Sequence, residues 1–218
     1  MSSLSGVDSV NVRLRGPLEH ITVPVSLRPQ FVLFDPSAKI LYEPTSRLST
    51  DLLVSGLRRS TGEAGRLAML HQLKGRRIEP AHLLGLRSVL STSLSDEIRA
   101  LTVEIIGFAA PSRAAMLDLL AAAESESPIL RAAALKGLSH FDGFPEARSL
   151  ALQAANRSQN PLVLAAAVES LVQLDSTLSL PVLQAAMVTD SENDYVRREA
   201  VKTLMYSSID LAQKWKMI

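Results

Sequence analysis

The 218-residue sequence predicts a mainly α-helical fold, a right-handed α-solenoid of about five stacked helix pairs preceded by a short β segment. Three observations carry that expectation. The hydrophobic spacing changes from period two to a helical period near residue 48. After that point one helical pattern recurs five times at almost constant spacing. The composition is 47% hydrophobic but only 4% aromatic, so aliphatic side chains must build the core.

Residues 1–48 read as the β segment. Val10, Val12 and Leu14 alternate with Asn11, Arg13 and Arg15; Ile21, Val23 and Val25 alternate again; Phe31 to Phe34 forms a continuous run. Gly16-Pro17, Arg28-Pro29 and Asp35-Pro36 separate these runs as turns do between short strands. Three or four such strands are too few for a stable independent sheet, so the segment needs cover from elsewhere. Its outermost strand is expected to present an open edge and to be poorly protected in isolation.

Residues 49–218 read as the solenoid. The repeated helix begins Gly65-Arg66-Leu67-Ala68, Ile98-Arg99-Ala100-Leu101, Leu130-Arg131-Ala132-Ala133, Val163-Leu164-Ala165-Ala166 and Val196-Arg197-Arg198-Glu199. Successive copies are offset by 33, 32, 33 and 33 residues. Ser127-Pro128 and Asn160-Pro161 place a capping oxygen at N-cap and a proline at N1, where its missing N–H costs nothing. Ser95-Asp96-Glu97 and Asn193-Asp194 bring capping oxygens and negative charge to the same point. Pro80, Pro111, Pro145 and Pro181 recur between these helices, each opening an apolar stretch. Each unit is thus two helices joined by a turn, and one pair cannot bury its apolar faces alone, so the pairs must stack.

Chemistry is sparse by comparison. Lys plus Arg is 23 against 22 for Asp plus Glu, a balance that speaks against a nucleic-acid partner. Cysteine is absent, which excludes disulfides and thiolate metal sites and fits a reducing, cytoplasmic setting. No apolar run reaches the length of a membrane span, and the first residues lack the pattern of a signal peptide. None of the four histidines is followed by Glu, so no zinc helix of the H-E-x-x-H kind exists, and no nucleophile elbow or phosphate loop is found. His71 and His82 have no carboxylate beside them in sequence; Asp96, Asp194, Glu124 and Glu126 sit where caps and solvated helix ends are expected. Catalytic, cofactor-binding and metal-ligating residues are therefore all expected to be none, and no cofactor is expected in this chain.

The column Arg66, Arg99, Arg131 and Arg197 reads as a structural ladder, pairing with acids three residues earlier or bridging to the next unit, rather than as an anion stripe. Charge is uneven along the solenoid. Residues 58–87 hold seven basic and two acidic side chains, and residues 88–218 hold eleven and fifteen. Such segregation can orient a docking neighbour.

The period of 33 matches ankyrin and tetratricopeptide lengths, but the signatures of both are missing. The recurring apolar-Arg-x-x-Ala pattern, over about residues 60–206, resembles the short HEAT-like repeat of phycobilin-lyase-type solenoids. The junction Leu27-Arg28-Pro29-Gln30-Phe31-Val32-Leu33-Phe34-Asp35-Pro36, followed by Leu41, is similar to a segment of bacterial alanyl-aminopeptidase-like zinc metallopeptidases. There a strand ending Phe-Asp-Pro closes a β-sandwich ahead of a HEAT-like region. That resemblance implies the non-catalytic C-terminal portion of such an enzyme, a helical scaffold beside a catalytic domain, with zinc implied only for that domain. The family's zinc helix, third metal ligand, Gly-Ala-Met-Glu-Asn loop and catalytic tyrosine are not in this sequence, so no functional residue carries over. The alternative is a stand-alone HEAT-repeat scaffold for protein–protein interaction, with a bilin-lyase-like role third. Either way the expected partner is protein, not nucleic acid and not membrane.

Overall fold

The structure is a computed structural model. It describes residues 10–13, 20–27, 48–60, 62–210, 212 and 214. The chain divides into two units, residues 1–30 and 31–218. In the first, residues 10–13 and 20–27 are exposed and carry no strand, including the alternating run Ile21 to Val25. This departs from the expected β segment. Alternation says that one side of a strand could be buried, not that a sheet exists to bury it; among the described residues no neighbouring strand supplies the ladder. The run at 31–34 and the Phe-Asp-Pro turn lie outside the described residues.

The second unit is an all-α solenoid. Its described helices are α1 (Thr50–Arg59), α2 (Glu63–Leu73), α3 (Leu83–Thr92), α4 (Asp96–Gly107), α5 (Arg113–Ala123), α6 (Pro128–Leu138), α7 (Pro145–Arg157), α8 (Pro161–Leu174), α9 (Ser176–Met187) and α10 (Tyr195–Tyr206). They form the five pairs that the repeat spacing predicts. The repeated segment is the even helix each time. The even helices stack on one another in chain order, and each packs against the odd helix before it. Among the odd helices only α1 and α3 pack comparably; α3, α5, α7 and α9 are linked mainly by ion pairs.

Helix starts follow the sequence with three departures, the first at α6, where the Ser127 side chain makes no capping hydrogen bond. The Asn160 side chain accepts from Leu162 and Val163 N–H at 3.0 and 3.3 Å, and the Ser95 hydroxyl accepts from Ile98 N–H at 3.3 Å. At α10, however, Asn193 and Asp194 both take a left-handed φ of 53°, and the Ser191 hydroxyl accepts from Val196 N–H at 2.9 Å instead. Pro181 does not open a helix but lies inside α9. Asp175 has already started that helix, accepting from Thr177 and Leu178 N–H at 3.1 Å each. A side chain at the N-cap outweighs the proline signal, because it satisfies two orphan donors at once.

Small residues let the even helices approach. Ala132, Ala134, Ala165, Ala166 and Ala167 are buried, and α4 meets α6 where Gly107 faces Gly137. A Cβ on Gly137 would lie 3.0 Å from Gly107 Cα and 3.0 Å from Leu119 Cδ2. Leucines, isoleucines and valines fill the rest of the core, and Phe141 is the aromatic side chain fully buried among the described residues. The linkers between pairs also join, Ala110 N–H donating to the Ile78 carbonyl at 3.2 Å.

Ser170 of α8 is fully buried and its hydroxyl makes no hydrogen bond. Replacing it with alanine removes an unsatisfied group without opening a large void. Ser170→Ala is expected to raise stability by up to about 1 kcal/mol, a Tm gain of roughly 2–4 °C. A thermal melt showing a loss of that size would mean that the hydroxyl has a partner.

Candidate functional site

The arginine column is structural, and its geometry explains its spacing. Arg66 is 7% exposed. Its Nε donates to the Ser60 carbonyl at the end of α1 at 3.1 Å, and its guanidinium reaches Glu63 at 3.2 Å and the Ser93 hydroxyl at the end of α3 at 3.1 Å. Arg131 donates to the Ser125 and Glu126 carbonyls just past α5, each at 2.9 Å. Arg197 donates to the Met187 carbonyl ending α9 at 3.1 Å and pairs with Asp190 and Asp194, each at 3.2 Å. Arg99 pairs with Asp96 at 3.6 Å. In three of the four, Arg66, Arg131 and Arg197, the guanidinium thus meets carbonyls at or just past the C-terminal end of the odd helix and fixes the turn between the two helices, while Arg99 pairs, among the described residues, only within the start of its own helix. These contacts tie the two helices of a pair together.

The basic stretch 58–87 is likewise engaged. Lys74 pairs with Glu104 at 2.9 Å, Arg77 with Glu79 at 2.6 Å and Arg87 with Asp118 at 2.8 Å, while Arg76 donates to the Leu48 carbonyl. His82 is buried, accepting at Nδ1 from Glu79 N–H at 3.0 Å and meeting Asp51 through Nε2 at 2.9 Å. His71 stands exposed on α2, so the two histidines are not brought together. Among the described residues no group of three or more His, Asp or Glu is placed to hold a metal ion, and no helix is long and apolar enough to cross a membrane.

What remains is the outward face of the even helices. Applying the repeat offsets to it gives two rows. The first is His71, Glu104, Lys136, Glu169 and Lys202, alternating in sign after the histidine. Lys136 reaches Glu169 across neighbouring helices at 3.2 Å, and Glu104 accepts from Lys74 of the previous unit at 2.9 Å. The second row, one turn further and mostly at or just past the C-terminal ends of the even helices, is Gly75, Phe108, His140, Gln173 and Tyr206. The rings of Phe108 and His140 meet with centroids 4.8 Å apart and planes tilted by 40°, and Phe108 and Tyr206 remain 54% and 83% exposed. Exposed ion pairs of this kind add little to stability. Together the rows set exposed aromatic side chains beside paired, net-neutral charge. Sequence reasoning aligned the apolar core of the repeats and missed these rows; the same offsets applied to polar and aromatic positions find them.

The odd face carries a second ladder, Arg87 to Asp118, Arg113 to Glu146 at 2.6 Å, and Arg148 to Asp175 at 3.5 Å. The Arg113 hydrogen bond holds the Glu146 carboxyl below its ordinary range, as the Ser95 hydroxyl does for Glu97. Because the folded value is the lower one, this contribution is present above the ordinary glutamate range and is lost as pH falls through the folded value. In Arg113→Ala the Glu146 midpoint is expected to return upward, read by carboxyl NMR titration; an unmoved midpoint would show that the pair does not form in solution.

A family model for HEAT repeats matches residues 116–205, from within α5 to the end of α10. No curated protein matches the chain.

Proposed function

We propose that the chain is a helical-repeat scaffold that binds a partner polypeptide on the outward face of its even helices. The observation that carries this reading is the register-matched row of Phe108, His140 and Tyr206, exposed beside the charge row of Glu104, Lys136 and Glu169. Exposed aromatic side chains are the residue type that most often anchors an interface, and neutralised flanking charge fits a rim. HEAT repeats, which the family model finds over residues 116–205, commonly serve such roles. The test is position-scanned photo-crosslinking in the native cell. A photo-reactive residue at Lys136 or Gln173 is expected to give a discrete adduct with a second protein, lost in Phe108→Ala. The same residue at exposed Ser149 on α7 is expected not to give that adduct. Equal adducts from both faces, or none at Lys136 and Gln173, would overturn the reading.

A finer version is that this scaffold stands beside the catalytic domain of an alanyl-aminopeptidase-like zinc metallopeptidase. Its support is the order Phe34-Asp35-Pro36, Leu41, then the Arg66 helix, of which the first part lies outside the described residues. On that version the crosslinked protein is a zinc peptidase and the purified chain alone hydrolyses no aminoacyl substrate. An adduct with a protein of another class would favour the stand-alone scaffold.

A further inference from the structure

The linker between α6 and α7 carries two adjacent groups that the packing leaves unused. Phe144 N–H donates to the Phe141 carbonyl at 3.0 Å, so Phe141, Asp142, Gly143 and Phe144 form a four-residue turn. Both ends of that turn are fixed, since Phe141 is fully buried and Phe144 packs against the same core. Asp142 and Gly143 make its exposed tip. Among the described residues the Asp142 carboxylate has no ion pair or hydrogen bond, and the Gly143 N–H donates to no acceptor. Each of the other described aspartates pairs with an arginine or a histidine, or caps a backbone N–H. Each of those is also followed by a residue that carries a side chain. Around Gly143 the space is open: a Cβ placed there would meet nothing within 4 Å.

We propose that Asp142-Gly143 is a modification site, at which the chain spontaneously converts the aspartyl linkage to an isoaspartyl one. The Gly143 nitrogen attacks Cγ of the uncharged Asp142 carboxyl. A C–N bond forms, the N–H proton and the carboxyl hydroxyl leave as water, and a five-membered succinimide results. Water then adds to one of the two ring carbonyls. Opening at Cγ returns the aspartate. Opening at the main-chain carbonyl leaves the chain running through Cβ and Cγ, with the former carbonyl carbon as a free carboxylate. One water leaves and one enters, so no oxidant or reductant is needed. Three features select this pair. Glycine has no Cβ to crowd the attacking nitrogen. Its N–H gives up no backbone hydrogen bond. No partner holds the carboxyl away from that nitrogen. The product inserts one extra atom into a turn whose ends are both packed, with ring centroids 5.9 Å apart. The closing bond from Phe144 to Phe141 is therefore lost, and the Phe144 carbonyl that accepts from Ala147 N–H at 3.1 Å at the start of α7 shifts with it. The change falls on the junction between the third and fourth helix pairs.

The test is to hold the full chain for several weeks at body temperature and mildly acidic pH, then digest it and separate the peptides. The peptide carrying Asp142 is expected to split into two species of equal mass. Electron-based fragmentation identifies the new one, and so does methyl transfer from S-adenosylmethionine by an isoaspartyl methyltransferase used as the probe. Asp142 is expected to yield at least about tenfold more of this product than any other described Asp or Asn. Asn193 is the internal competitor, because it is exposed but followed by Asp194, whose side chain crowds the nitrogen. Gly143 does not take a positive φ, so Gly143→Ala fits the same backbone and is expected to slow the conversion about tenfold. Asp142→Glu is expected to abolish it, since its ring would need six members. Aged wild type is expected to melt several degrees lower than fresh protein, while aged Asp142→Glu keeps its fresh value. Aspartate intact at 142, equal conversion at Asn193, a Gly143→Ala rate equal to wild type, or an isomerised chain with unchanged melting would overturn the proposal. No partner enters these readouts, so the proposal stands or falls apart from binding on the even helices.

Discussion

Phe141→Ala is expected to cost about 3–5 kcal/mol, the largest loss from any single truncation in the solenoid. Phe141 is fully buried in the linker between the third and fourth pairs, where the chain leaves α6 and turns into α7. Its backbone closes the turn on both sides, its N–H donating to the Leu138 carbonyl at 2.9 Å and its carbonyl accepting from Phe144 N–H at 3.0 Å. Its ring lies 5.9 Å from that of Phe144 and belongs to the core cluster holding Leu119, Leu138, Ala147 and Ala151. Those residues come from three helices held in the stack, so they cannot collapse into the space a phenyl ring leaves. For a chain of this size the loss corresponds to a Tm drop of roughly 10 °C. Chemical denaturation measures it; a loss below about 1 kcal/mol would mean that the ring is not a keystone of the array.

The second large effect is one for which local and tertiary physics give opposite signs. Gly107 ends α4 in helical conformation, and helix propensity alone makes Gly107→Ala stabilising by about 0.5–1 kcal/mol. The stacking makes it destabilising. A Cβ at Gly107 would fall inside the contact radius of Gly137 Cα on α6, and what it meets there is backbone, which cannot rotate away. Pushing α6 off α4 disturbs the contacts that both make with their flanking helices. Overpacking of this kind costs about 1–3 kcal/mol and here exceeds the propensity gain. Gly107→Ala is therefore expected to melt lower than wild type by several degrees, and Gly137→Ala likewise, because Leu119 also lies 3.0 Å from its added carbon. A stabilised Gly107→Ala would show that α4 and α6 do not touch at this point.

The helical array was legible in the sequence because a stacked repeat imposes the same demands on each copy. Leu70, Val103, Leu135, Val168 and Val201 hold the same register, and four of them are fully buried. The arginine column was legible as structure, and Arg99 keeps the acid three residues earlier, but the carbonyls that Arg66, Arg131 and Arg197 reach at the end of the preceding helix were not legible, since backbone acceptors leave no mark in sequence. Pro181 was misplaced because a proline favours an N-terminus only when no better cap precedes it, and Asp175 does. The alternating run Ile21 to Val25 promised a strand that the described residues do not form, because pairing depends on a partner that period two does not specify. Phe108 and His140 escaped notice for another reason. They lie at helix ends, where apolar periodicity has stopped, and only the repeat offset connects them.

The central structural claim is that the even helices form one continuous stack on which the odd helices hang. Hydrogen exchange on the intact chain tests it most directly. α4, α6 and α8 each pack against two other even helices and against the odd helices on either side, so their amides can exchange only when several units open together. They are expected to be the slowest in the protein. Those of α5, α7 and α9 are expected to exchange sooner, and those of residues 10–13 and 20–27 at rates close to an unprotected chain. Amides of α5 and α7 protected as long as those of α4, α6 and α8, or protection that ends abruptly between two even helices, would contradict the stack.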